Sequence, residues 1–215
     1  YILNGVKQFI SNAAVSDVYT VIALTDKSRG ARGISTFIIE KDFPGLSYGK
    51  EENKLGIRAS VTSELIFEDC RVPKENLMGK EGFGFIYTMR NFDRARPGVG
   101  AIALGIAQGA YEDALDFLYK HDLLSNQYVQ KKIADMATEI EAARALIYAS
   151  ARMIDSGAKG FSKPSSFSKL YPSDIAMKVC SDAVALMGPF GCLREYYLEK
   201  RPRDAKITQI YEGTN

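Results

Sequence analysis

The sequence predicts an α+β protein, a small antiparallel β barrel or sandwich followed by a C-terminal four-helix bundle. Three observations predict it. Short β-branched and aromatic runs separated by turn residues fill the first third of the chain, and the hydrophobic period changes after Gly79. Beyond that point, long stretches of good helix formers are joined by short connections. The expected boundaries are a β domain over 1–79 and a helical domain over 80–215.

Val18-Tyr19-Thr20-Val21-Ile22-Ala23-Leu24 has the composition of a largely buried strand, and Gly33 to Glu40 reads as another. In Val61 to Phe67, alternation puts Val61, Leu65 and Phe67 on one face and Thr62 and Glu64 on the other. Lys27-Ser28-Arg29-Gly30, Phe43-Pro44-Gly45 and Val72-Pro73-Lys74 supply the turns. Pro97 suits the start of a helix, where its missing N–H costs nothing, and Ala101 to Tyr119 continues it. Ile133, Met136, Ile140, Ala143, Ile147, Ala151 and Ile154 mark an amphipathic helix of about 30 residues, closed by Gly157 and Gly160. A third helix is expected from about Pro172 to Met187, and a short one from Asp204 to Ile210.

The chain has 215 residues, 28 basic and 26 acidic, for a net charge of +2. That length can bury a core without disulfides or a structural metal. The charge balance gives no basis for a nucleic acid or an anionic membrane as partner. Cys70, Cys180 and Cys192, with the single His121, form neither a disulfide framework nor a zinc spacing. No apolar run is expected to reach the roughly 20 residues of a membrane span, so a reducing cytosol or organelle matrix is the default location. Because the chain opens on Tyr1-Ile2-Leu3 and closes on Gly213-Thr214-Asn215, it reads as a stretch of a longer polypeptide.

The sharpest chemical signal is Arg203-Asp204-Ala205-Lys206-Ile207-Thr208-Gln209-Ile210-Tyr211-Glu212-Gly213-Thr214-Asn215. Asp204 favours a helix N-terminus, and Gly213 can take φ > 0 at its end. Taken alone, Glu212 is as compatible with a surface carboxylate at a helix end. Asn4-Gly5-Val6-Lys7-Gln8-Phe9-Ile10-Ser11-Asn12 is a second marked stretch, whose local alternative is a hairpin at Asn4-Gly5 followed by a core Phe. Gly82-Phe83-Gly84-Phe85 and Asn91-Phe92-Asp93-Arg94-Ala95-Arg96-Pro97 form a third, whose alternative is an Asp93–Arg96 ion pair on a solvated helix.

Taken in their order along the chain, these stretches resemble the acyl-CoA dehydrogenase family, its middle β domain and its C-terminal helical domain. Gly56-Ile57-Arg58-Ala59-Ser60 and Phe67 to Asn76 are similar to the family's β domain and serve as fold markers. The resemblance implies FAD-dependent α,β-dehydrogenation of an acyl-CoA to a 2-enoyl-CoA. Glu212 would take the α-proton while hydride leaves the β-carbon for flavin N5. It places Phe9, Ile10 and Ser11 against FAD, together with Gln127, Thr214 and Asn215. Asp93, Arg94, Ala95, Arg96 and Gly213 would bind the CoA thioester. It also implies electron-transfer flavoprotein as electron acceptor, a homotetramer, and a bacterial cytoplasm or mitochondrial matrix. An acyl-CoA oxidase-type flavoenzyme and a catalytically silent acyl-CoA-binding scaffold are the alternatives.

Three departures from the family pattern stand out. The family's N-terminal helical domain has no counterpart in these residues. An Arg-x-x-Phe-Gly element expected near Lys120 is replaced by a shorter Tyr119 to Gln127. Gly188-Pro189-Phe190-Gly191 stands for Gly-Gly-x-Gly, with Ala185 where a Gln is usual, and Pro189 takes away a backbone donor.

Overall fold

A computed structural model describes residues 1–215. They divide into two compact units, Tyr1–Lys54 with Arg58–Asn91, and Leu55–Ile57 with Phe92–Asn215. The α+β architecture expected from the sequence is present, with antiparallel sheets in the first unit and helices in the second.

The first unit contains β1 (Ile2–Ser11), β2 (Val18–Leu24), β3 (Ile34–Glu40), β4 (Leu46–Tyr48) and β5 (Thr62–Arg71). One sheet runs β1-β5-β4 and the other is the pair β2-β3, all antiparallel. Leu3, Tyr19, Val21, Phe37, Leu65 and Phe67 are among the residues that fill the core. Three local expectations are corrected. First, β2 is only alternately buried, with Val18 and Leu24 more than half exposed, because a two-stranded sheet has one face to pack. Second, Thr62 is buried rather than outward, since its hydroxyl accepts from the Lys54 ammonium at 2.8 Å. Third, Asn4-Gly5 does not make a hairpin. Instead β1 passes through it with a register shift, and the Asn4 side chain pairs with Asp69, accepting from its N–H at 2.8 Å.

The helices are α1 (Gly84–Lys120), α2 (Gln127–Asp155), α3 (Ser162–Met187) and the short α4 (Lys200–Ala205), which runs into a 3-10 turn at Lys206–Gln209. Small residues of α1 (Ala103, Ala107, Ala110, Ala114) let α2 and α3 approach, and Met136, Ile140, Val179 and Leu198 fill the space between them. The expected end of α2 is observed, with Gly157 in left-handed conformation at φ 68° just beyond it.

Both prolines expected at helix starts lie inside helices. Pro97 leaves the carbonyl of Asp93 without its helical donor, and the Ser165 hydroxyl of α3 supplies one. Pro172 likewise frees the Ser168 carbonyl, which lies against Gly100 of α1, where an added Cβ would come within 1.9 Å of that oxygen. A tertiary hydroxyl thus offsets the first break, while at the second the glycine lets α1 come close to the freed carbonyl. The short C-terminal helix also starts earlier than expected. Asp204 is therefore not at its N-terminus but 5% exposed, accepting from the Ile57 N–H at 2.6 Å and from the Lys200 ammonium. One 18-residue window within Ser162–Cys192, the region of α3, is apolar enough to cross a membrane by length and composition, with mean hydropathy 1.3. Its apolar face is spent on the bundle core, through Ile175, Ala176, Val179, Cys180 and Ala183.

Candidate functional site

After the 3-10 turn the chain reverses through two residues of positive φ, Glu212 at 52° and Gly213 at 104°. A left-handed non-glycine residue costs about 1–2 kcal/mol, so this backbone has to be held by its surroundings. The Tyr211 N–H donates to Ile207 at 3.1 Å, and the Asn215 N–H returns to Gln209 at 3.1 Å, closing the turn. The Glu212 N–H finds no acceptor within the chain.

Glu212 is half-buried, and its Oε2 is fully buried without a hydrogen-bond partner. Burial pushes its carboxyl above the usual Glu range, while Arg96 and Lys169 pull it back. Arg96 comes from α1, where its Nη1 donates to Ser166 at 3.1 Å and lies 3.5 Å from Asp93. The Asp93–Arg96 pair expected as the bland alternative therefore exists, but both side chains are only 24% exposed, so it is not a solvated pair. Asp93 is itself pinned to α3, its Oδ1 accepting from the Ser162 hydroxyl at 2.9 Å.

Lys169 completes the cluster. It is 4% exposed in α3, and its ammonium donates to the Gly213 carbonyl and to Asn215 Oδ1, each at 2.6 Å. Burial lowers its pKa, with Arg96 acting in the same direction and Asp174 and Glu212 against it. Sequence reading did not single out Lys169, Ser162, Ser165 or Ser166. A signal was available, since the steps from Ser165 through Lys169, Pro172 and Ala176 to Val179 trace one helical stripe, and a lysine on a buried stripe needs a partner.

Among the other expected site residues, Ala95 is half-buried beside Arg96, whereas Arg94 and Thr214 point to solvent and do not join the cluster. The Asn215 amide nitrogen is engaged inside the unit, donating to Ser173 at 2.7 Å and Asp174 at 2.8 Å. Gln127 is an exposed first residue of α2, which Asn126 caps by accepting from the N–H groups of Tyr128 and Val129.

In the first unit, Phe9 is 72% exposed and left-handed at φ 56°, at a register shift between Lys7 and Ile10 of β1. It is not the core Phe of the local alternative. Ser11 is exposed two residues on, and Ile10 packs against the core. Lys7, Ile10, Ser11, Ser16, Thr20 and Leu65 are among the residues lining an open groove of about 340 Å³.

Comparison with known proteins bears on both stretches. Residues 1–70 match the model of the acyl-CoA dehydrogenase middle domain, and residues 82–215 that of the acyl-CoA dehydrogenase C-terminal domain. A short-chain-specific acyl-CoA dehydrogenase of Megasphaera elsdenii is 46% identical over the whole chain, which covers 57% of that relative's length. The solved butyryl-CoA dehydrogenase of the same organism superposes with a TM-score of 0.96 at 46% identity, with all of this chain and 57% of the other covered. A chain from a structure described as the electron transferring flavoprotein of Acidaminococcus fermentans, in work on flavin-based electron bifurcation, gives a TM-score of 0.98 at 50% identity. It is covered to 58%, with all of this chain aligned. The chain thus spans under three fifths of the relatives it matches. On these two domain matches and this identity, the chain belongs to the acyl-CoA dehydrogenase family.

Proposed function

We propose that this chain carries the catalytic base of an enzyme that dehydrogenates an acyl-CoA thioester to its 2-enoyl product, with Glu212 as that base. The observation that carries the reading is the unpartnered, buried Oε2 of Glu212 set near two cations. A carboxylate kept for structure would use its lone pairs on neighbouring donors. One that must take a proton from carbon is instead left without a competing donor and made more basic by burial.

FAD is the cofactor this reading requires, and the residues present fit it. An exposed, left-handed Phe9 and a free Ser11 hydroxyl on one strand offer an apolar wall and a hydrogen-bond donor to a flat ring. When bound, FAD supplies the acceptor for the hydride that leaves the β-carbon. The rest of the work falls to the chain's own groups. Glu212, as carboxylate, takes the α-proton, and its backbone N–H is free to donate to the thioester carbonyl as negative charge develops there. Arg96, fixed by Ser166 and Asp93, opposes the burial penalty and favours the carboxylate form of the base. Exposed Arg94 is available to charged or polar groups of CoA. An electron-transfer flavoprotein as acceptor, homotetramer formation, and roles for Gln127, Thr214 and Asn215 in holding FAD belong to the same reading.

The test is Glu212→Gln in the intact enzyme. Flavin absorbance should be retained, and bleaching by acyl-CoA should fall by a factor of about 10³ or more, within the usual worth of one general base. Substantial turnover by the variant would place the base elsewhere.

A further inference from the structure

We propose that Lys169 is a positioning residue for Glu212, fastening the backbone that follows the carboxylate and setting a fixed positive charge beside it. The inference rests on the reading of Glu212 as the base.

An ammonium at 4% exposure is costly to desolvate, and in most proteins it sits against a carboxylate that compensates it. Lys169 forms no ion pair. Both of its resolved hydrogen bonds, to the Gly213 carbonyl and to Asn215 Oδ1, go to the three residues after Glu212. Asn215 carries the tether further, through Ser173 and Asp174 on α3, and Asp174 also accepts from Gln209 at 2.6 Å. The segment from Gln209 to Asn215 is therefore sewn to one side of α3. This holds a backbone that would otherwise relax, because Glu212 and Gly213 are both left-handed.

The same cation has an electrostatic effect. The charged and titratable groups acting on Glu212 are Arg96 from α1, Lys169 from α3 and Tyr211 from the turn itself, with Asp174 of α3 acting in turn on Lys169. Lys169 and Arg96 favour the carboxylate, and burial opposes it. A lysine whose only task was to close the fold would hold the turn without altering the titration of the base. The proposal requires both effects.

The experiment compares Lys169→Met, Lys169→Arg and Glu212→Gln in the intact enzyme. The readouts are the pH profile of flavin bleaching by butyryl-CoA in a single turnover, and amide hydrogen exchange over Tyr211–Asn215. Loss of the cation raises the proton affinity of Glu212, so Lys169→Met should move the acid limb of the profile upward by about one pH unit. The rate at neutral pH should drop tenfold or more, with kcat affected more than KM. Lys169→Arg keeps the charge and should keep the acid limb in place, while a guanidinium that cannot reproduce both contacts slows the reaction. Exchange over Tyr211–Asn215 should quicken in Lys169→Met. An unmoved acid limb or unchanged exchange in that variant would overturn the proposal while leaving Glu212 as base. Turnover by Glu212→Gln would instead remove the base assignment. If Lys169→Met does not fold, Asn215→Ala removes one of the two acceptors and should speed exchange at the same amides, and unchanged protection there would equally overturn the tether.

Discussion

Phe9 in β1 and Glu212 in the C-terminal turn share an unusual backbone, both being non-glycine residues at φ near +50°, 56° and 52° respectively. They are held in opposite ways. Phe9 sits between ladder pairs, Lys7 with Leu65 and Ile10 with Ser63, so its local sheet fixes it while its ring is left bare. Glu212 has no ladder. Its backbone is held by side chains from far along the sequence, above all the buried Lys169, and its carboxylate is half-enclosed. The difference teaches that an apolar wall becomes a site through whatever covers it, whereas a charged group must have its position and its proton affinity built by the protein beforehand.

The comparison can be sharpened or broken by substitution. The largest effect on stability is expected from Gly100→Ala. The new Cβ would collide with the Ser168 carbonyl and force apart α1 and α3, the helices that carry Arg96 and Lys169. A loss of about 2–3 kcal/mol is expected in denaturant unfolding, with faster exchange over Tyr211–Asn215 and none over β1. Wild-type stability would show that the two helices part freely, and that the turn does not depend on their contact.

Ser165→Ala should come next. It leaves the Asp93 carbonyl, already deprived of a helical donor by Pro97, without its hydroxyl partner, at about 1–2 kcal/mol. A neutral result in thermal melts would mean that water replaces the serine.

Smaller and dependent on pH is the effect of Glu212→Gln on stability. Burial raises the folded-state pKa of Glu212 above its ordinary 4.5, so the native state holds more protons than the unfolded state just above that value. Wild-type stability attributable to this group is complete below its unfolded pKa and is lost as pH rises through the folded value. The variant should therefore gain in Tm relative to wild type on going from pH 4 to pH 7. A constant or shrinking difference would show that Arg96 and Lys169 outweigh burial.

The smallest stability effect belongs to the other region. Phe9→Ala should change unfolding free energy by less than about 0.5 kcal/mol, because the ring is 72% exposed. It should nonetheless speed the release of flavin, measured by dilution. A large stability loss would show that the ring packs more than its exposure suggests.

The candidate site was legible only in pieces. Glu212 and Gly213 stood out through a family signature, and Asp93 and Arg96 through another. The cation behind the turn was missed because nothing near Lys169 in the chain announces its partners, Gly213 and Asn215, more than forty residues on. Ion-pair geometry at Asp93–Arg96 was readable from the spacing, whereas its removal from solvent was not, since the serines responsible lie on another helix.

Local periodicity by itself determined the fold class, the strands β2 and β3, and the span of α2, because side-chain alternation and helical stripes are properties of neighbouring residues. Only tertiary structure decided that Pro97 and Pro172 lie within helices, that Asp204 is buried, and that Glu212 Oε2 is buried without a partner within the influence of two cations. In each case a group's fate depends on a donor, a charge or a close contact brought from elsewhere by folding: the Ser165 hydroxyl, the glycine surface at Gly100, the Ile57 N–H and the Lys169 ammonium. A polar group is stable inside a protein only when such a partner is supplied, and the chain's local pattern cannot state which distant residue will supply it.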